Sequence, residues 1–135
     1  MDEYFRETFI KVLGDAQPKK KRKVLNLKVK AALSALYEIR SAMQLYYGDN
    51  EGYFPEDLKE LSPKYLKQIP LISIKPGLQT NAVAHPTLAA LDSCRSVLGT
   101  GGWLYFNNSK NTATWGNVVI DSAELSPEGK RWCEY

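Results

Sequence analysis

Apolar residues recur at helical spacing over two separate stretches of the chain. In the stronger one, Leu25, Val29, Ala32, Leu36, Ile39, Met43 and Tyr46 succeed one another in alternating steps of four and three. That is one continuous seam along a helix of about six turns. Ala31, Leu33 and Ala35 add helix propensity. The spacing predicts a helix over 25–47, with Gly48 as a left-handed C-terminal cap and Asp49-Asn50 as a turn. In the weaker stretch, Phe5, Phe9, Val12 and Ala16 predict a short amphipathic helix over 2–13, weakened by Gly14 and Asp15 and kinked or ended at Pro18. The step from Ala16 to Leu25 is about two and a half turns, so one straight helix would carry the two stripes on nearly opposite sides. Either the chain bends near Pro18 or the first stripe packs elsewhere.

Beyond the long helix, Leu58 and Leu61 fit a short helix, which Ser62-Pro63 breaks, and Tyr65, Leu66 and Ile69 anchor the next segment. Residues 70–101 contain Pro70, Pro76, Pro86 and several glycines. They read as a long irregular connection with a short helical piece at Thr87–Asp92, and a connection of this length is functional or pinned. After Gly101-Gly102, the segments Trp103–Phe106, Thr112–Trp115 and Val118–Ile120 are rich in strand formers. They predict a hairpin or three-stranded meander whose inner face covers the long helix. The tail from Ser126 to Tyr135 is expected to add an edge strand. The fold class is therefore α+β: a long N-terminal helix on a small antiparallel sheet.

Composition changes this picture only at the front. With 135 residues, of which 44% are hydrophobic, the chain suits one modest globular domain. Residues 1–30 hold nine Lys and Arg against four acids, a net of +5, whereas residues 31–135 hold nine against eleven, a net of −2. The basic character belongs to the leader and not to the domain. A folded nucleic-acid-binding face would spread it differently. No run of about 20 apolar residues is present to span a membrane, and the start lacks the order of a secretory signal, so the chain as written is expected to be soluble.

The positive charge is concentrated in the run Lys19, Lys20, Lys21, Arg22, Lys23. Pro18–Val24 resembles the short basic nuclear-import signal of a viral large T antigen, which would be presented as an extended, exposed segment. Other readings are a nucleic-acid contact or a solvated charge block. No aromatics interleave the run, so base stacking is not supported. His85, the single histidine, precedes Pro86 in a loop-like context with no nucleophile elbow. Asp49, Glu51, Glu56 and Asp57 lack the alternation of a calcium loop and read as cap, turn and helix start. The expectation is no catalytic residue, no metal and no cofactor. Tyr46, Tyr47, Tyr53, Phe54, Trp103, Tyr105, Phe106, Trp115 and Trp132 read mainly as helix-to-sheet core. Cys94 and Cys133 allow one intrachain bridge in an oxidising compartment and two free thiols in a reducing one.

A family resemblance rests on the order of several elements. Leu45-Tyr46-Tyr47, Asp49-Asn50 and Gly52-Tyr53-Phe54-Pro55 come first, next Leu58, Leu61, Tyr65-Leu66 and Ile69-Pro70, then TGGWLYFNNS at Thr100–Ser109 and GKRWCEY at the end. Residues 27–135, apart from 71–99, resemble the globular part of type IV pilins and type II secretion pseudopilins. The resemblance implies a structural subunit of a pilus or secretion pseudopilus and a bridge between Cys94 and Cys133. It also implies partners among other subunits and the assembly machinery, with no small-molecule substrate and no nucleic acid. The natural location would be the cell envelope or an extracellular filament. The family opens with an apolar membrane helix behind a processing site, and a glutamate near the mature N-terminus. None of these is matched here, so a membrane contact would belong to that missing helix. Residues 1–24 are accordingly read as a charged leader of engineered or fused origin, and 25–135 as the pilin-like domain. The alternative function is a nuclear or nucleic-acid-binding module led by Lys19–Lys23.

Overall fold

The computed structural model describes residues 19–87 and 92–135, with helix side chains from Asn26 onward. The stripe Phe5, Phe9, Val12, Ala16, the leader up to Pro18, the side chains of the basic run and Leu25, and most of the Thr87–Asp92 piece lie outside the described residues.

The architecture is α+β. Helix α1 (Lys19–Asp49) is about 46 Å long at 1.5 Å per residue. It begins six residues before the expected start, inside the basic run, and passes the 24/25 boundary without a break. Val29, Ala32, Leu36, Ile39 and Met43 are buried, and Tyr46 is half-buried against the same core. The C-terminal end differs from expectation. Gly48 remains in the helix, and the left-handed positions are Glu51 (φ 57°) and Gly52 (φ 86°). Asn50 closes the end by donating both its backbone N–H and its Nδ2 to the Tyr46 carbonyl. The left-handed closure thus falls at Glu51 instead of Gly48, with the Gly52 N–H donating to the Tyr47 carbonyl at 2.9 Å and the Asn50 side chain adding its bond.

A 3₁₀ turn at Leu58–Leu61 comes next, capped by Asp57, and both leucines are fully buried. The connection read as irregular contains three strands. β1 (Ile72–Lys75) and β2 (Leu78–Thr80) form an antiparallel hairpin lying against α1, with Ile72 opposite Thr80 and Lys75 opposite Leu78. β3 (Val83–Ala84) pairs in parallel with β4 (Trp103–Tyr105), and β4 pairs antiparallel with β5 (Val118–Ile120). The expected antiparallel sheet is therefore mixed. The physical reason is the long connection after β3, which is the crossover that a parallel pair requires. Gly102 admits it: a Cβ there would lie 2.5 Å from the Ala82 carbonyl oxygen, which accepts the Trp103 N–H at 2.8 Å.

Alternation along β4 and β5 builds two cores. Trp103, Tyr105, Val118 and Ile120 join the helix seam on one face. Leu104, Phe106 and Val119 pack on the other face with Ala84 of β3 and Val97 of the crossover. Thr112–Trp115 is not a strand. Asn108 and Asn111 draw the chain into successive turns, with backbone bonds from Asn111 to Asn108 and from Thr114 and Trp115 to Asn111. The tail makes one isolated bridge, Leu125 with Arg131, and a 3₁₀ turn at Trp132–Glu134 in place of an edge strand.

Candidate functional site: the outer helix face and the C-terminal clasp

The residues two places before each buried seam position lie about 200° away round the helix, nearly opposite. Leu27, Ala31, Ser34, Ser41 and Leu45 occupy these places or adjoin them, and all are exposed. Leu27 and Leu45 are 57% and 62% exposed, and Tyr37 on the same side of the helix is 55% exposed. Asn26, Leu27 and Lys28, the first described side chains, are all exposed, and burial begins at Val29. One face of α1 is thus the spine of its own domain, and the other is an uncovered ridge carrying large apolar side chains.

The far end of the chain is fastened to the covered face. Cys94 and Cys133 form a disulfide, and both are buried. The half-buried Arg40 guanidinium donates from Nη2 to the carbonyls of Val118 and Tyr135, both at 2.9 Å, and from Nε to Val118 at 3.3 Å. Burial lowers the Arg40 pKa from its usual value, and the nearby Tyr37 opposes that shift. Arg40 still remains a cation, as guanidinium groups do in proteins. The Tyr135 ring packs on Trp132, and its hydroxyl lies 2.7 Å from that of Ser126. Arg131 lowers the Glu134 pKa through a direct hydrogen bond. Around this clasp a cavity of about 530 Å³ opens between Arg40, Gln44, Asn117 and Glu134.

No protein-family model, curated protein or solved structure matches the chain.

The structure separates the sequence candidates. The basic run is helical from Lys19, whereas the import-signal reading needs an extended segment. His85 lies edge-on to Tyr105 at 6.0 Å, with its Nε2 buried and without a hydrogen-bond partner among the described residues. The Tyr105 hydroxyl donates to the Pro55 carbonyl, and burial drives its pKa well above the usual tyrosine range. The acidic residues are dispersed. Asp49 accepts from the Tyr65 hydroxyl at 2.7 Å, Asp57 caps the 3₁₀ turn, and Glu51 sits in the left-handed turn. Among the described residues, no group of His, Cys, Asp and Glu is placed to hold a metal, and no helix is long and apolar enough to cross a membrane.

Sequence reasoning missed Asp121. Its side chain is fully buried and accepts from the backbone N–H groups of Leu98, Gly99 and Thr100 and from the Thr100 hydroxyl. An aspartate directly after an apolar strand was the available signal. Its three backbone donors come from 21–23 residues earlier in the chain, and no local pattern announces them.

Proposed function

We propose that this chain is the globular part of a structural subunit of a type IV pilus-like or secretion-pseudopilus-like filament, and not an enzyme. Other subunits and the assembly machinery are its partners, and its place is the cell envelope or an extracellular filament. The observation that carries the reading is the two-faced helix. Its inner seam is filled by Trp103, Tyr105, Val118 and Ile120, while Leu27, Tyr37 and Leu45 stand uncovered along the outside. These side chains are spaced over about 27 Å of one side of the helix and would offer separate apolar contacts to neighbouring subunits. The arrangement agrees with the order of LYYGDNEGYFP, the LKELSPKYLKQIP step and the TGGWLYF strand, which suggested the family.

The test is in-cell photocrosslinking in the organism that encodes the chain. A photoreactive residue at position 37 or 45 should give a ladder of crosslinked subunits in the sheared surface fraction. The same residue at exposed Lys130, on the clasp side, should give little. A chain confined to the cytoplasm, or crosslinks at 130 equal to those at 37 and 45, would overturn the proposal.

A further inference from the structure

The spacing along the outer face of α1 is the same from either end. Leu27, Ala31, Ser34, Glu38, Ser41 and Leu45 follow one another in steps of four, three, four, three and four, and all six are exposed. Such steps keep to one side of a helix. Leucines stand at the two ends of the row, about 27 Å apart, with Ala31, Ser34 and Ser41 as small residues between them. Charge, in contrast, is unevenly divided along the helix. Residues 19–30 hold seven Lys and Arg and no acid, whereas residues 49–60 hold five acids and one Lys. Lys28 and Lys30 are exposed near one end of the row, and Asp49 and Glu51 are exposed beyond the other. Asp49 meets Lys64 in a loose surface pair at 3.7 Å.

We infer that this face pairs with the same face of a second copy of the chain, the two helices running antiparallel about a two-fold axis level with position 36. A two-fold interface must be self-complementary, and the symmetric spacing meets that condition. In this register Leu27 faces Leu45 of the second copy, Ala31 faces Ser41, and Ser34 faces Glu38. Small residues near the centre let the helices approach within the usual 8–10 Å or so, and a pair of leucines closes each end. Tyr37, 55% exposed and one place from the axis, flanks the centre. Charge decides the direction. Antiparallel pairing sets the stretch Lys19–Lys23 of one copy beside Asp49 and Glu51 of the other, with position 23 opposite position 49. Parallel pairing would set each cationic stretch against its own copy and align the two helix dipoles. Glu38 opposes the pairing, because the two-fold axis brings both copies of it within about 6 Å along the helix direction. The pair requires only this chain and does not depend on the filament reading. Because a two-fold pair closes on itself, filament assembly would have to part it first.

The test is sedimentation equilibrium of the purified full chain. The expected result is a monomer–dimer equilibrium with a dissociation constant of about 100 μM or tighter. Leu27→Glu and Leu45→Glu should each weaken it about tenfold or more at an unchanged melting temperature, since both side chains are exposed. Glu38→Gln should tighten it, and added salt should loosen it. Direction is read from a nitroxide on Gln44→Cys, the native cysteines being joined to each other. Antiparallel helices place the two labels about 25–30 Å apart, and parallel ones about 10–15 Å. A chain that stays monomeric up to about 500 μM overturns the pairing. So does a dimer that both glutamate variants leave intact, one that salt tightens or Glu38→Gln loosens, or a short distance at position 44. None of these outcomes bears on the in-cell crosslinking that tests the filament reading, so the two fail separately.

Discussion

The carboxylate of Asp121 accepts both the backbone N–H and the hydroxyl of Thr100, at 2.9 and 2.6 Å. Leu98 and Gly99 add two more N–H groups, at 2.7 and 3.2 Å. A buried carboxylate thereby gathers the end of the crossover onto the end of β5. Asp121→Asn offers one acceptor oxygen where two served, and turns an NH₂ toward donors. It should cost about 2–4 kcal/mol of stability, whereas Thr100→Val, which removes one hydroxyl, should cost about 1 kcal/mol. Urea denaturation of both variants measures the difference, and equal effects would show that the backbone cradle contributes nothing.

The Arg40 clasp predicts a different ordering. Methionine at position 40 keeps much of the stem but leaves the carbonyls of Val118 and Tyr135 without this donor. Arg40→Met should destabilise the fold by about 1–3 kcal/mol. Lysine supplies one compact donor in place of a fork and should recover part of that loss. Limited proteolysis should cut the last residues of Arg40→Met before any other site. Cleavage elsewhere first would show that Arg40 does not hold the tail.

The bridge between Cys94 and Cys133 spans 39 residues, including the crossover's end and both strands of the central pair. In the chain-entropy account, closing a loop of that size stabilises by about 4 kcal/mol. The double variant Cys94→Ser, Cys133→Ser should therefore show a lower denaturant midpoint. Reducing agent should lower the midpoint of the parent and leave that of the variant unchanged.

Much of this architecture could be read from the chain, and the unread part has a common cause. The helix seam was legible because its contacts repeat every three or four residues, and a period survives in one dimension. The α+β class came from that seam and the aromatic strand after Gly102. β3 was not legible: Val83-Ala84 is two residues long, and only its pairing with Trp103 and Leu104 makes it a strand. Thr112–Trp115 misled because strand propensity there yields to the turns made by Asn108 and Asn111. Gly48 misled because the left-handed closure comes three residues later, at Glu51, where the Gly52 N–H bonds the Tyr47 carbonyl. The Asp121 cradle joins residues 21–23 apart in sequence, whose meeting is a product of the fold.

Tyr105 predicts an alkaline transition. Burial raises its folded-state pKa above the ordinary value of about 10, so the folded protein holds this proton more tightly than the unfolded chain does. Its contribution is fully present below pH about 10 and is lost as pH rises from there toward the folded pKa. Tyr105→Phe removes the hydrogen bond to Pro55 and should cost about 1 kcal/mol near neutral pH. Above pH about 10 the parent should lose about 1.4 kcal/mol per pH unit relative to the phenylalanine variant, so the gap closes and then reverses. A gap constant from about pH 8 to 11, as paired denaturation curves would reveal it, contradicts the assignment.

The start of α1 predicts an unusual response to charge. Its first turn contains no acidic residue and opens on Lys19, Lys20, Lys21 and Arg22, next to the positive end of the helix dipole. Cations there oppose the dipole, and a carboxylate in the first turn would instead favour its N–H groups. Replacing Lys19 and Lys20 with glutamate should stabilise these first turns by about 0.3–1 kcal/mol per site. Hydrogen exchange of the amides over 19–28 should slow accordingly, and moderate salt should slow it in the parent by screening the repulsion. Global melting should respond little, because Val29 is the first buried seam residue among the described side chains. For the same reason, deleting residues 1–24 should move the melting temperature by less than about 3 °C. A loss several times larger would mean that the leader packs on the domain, and that the 24/25 boundary divides a single folding unit.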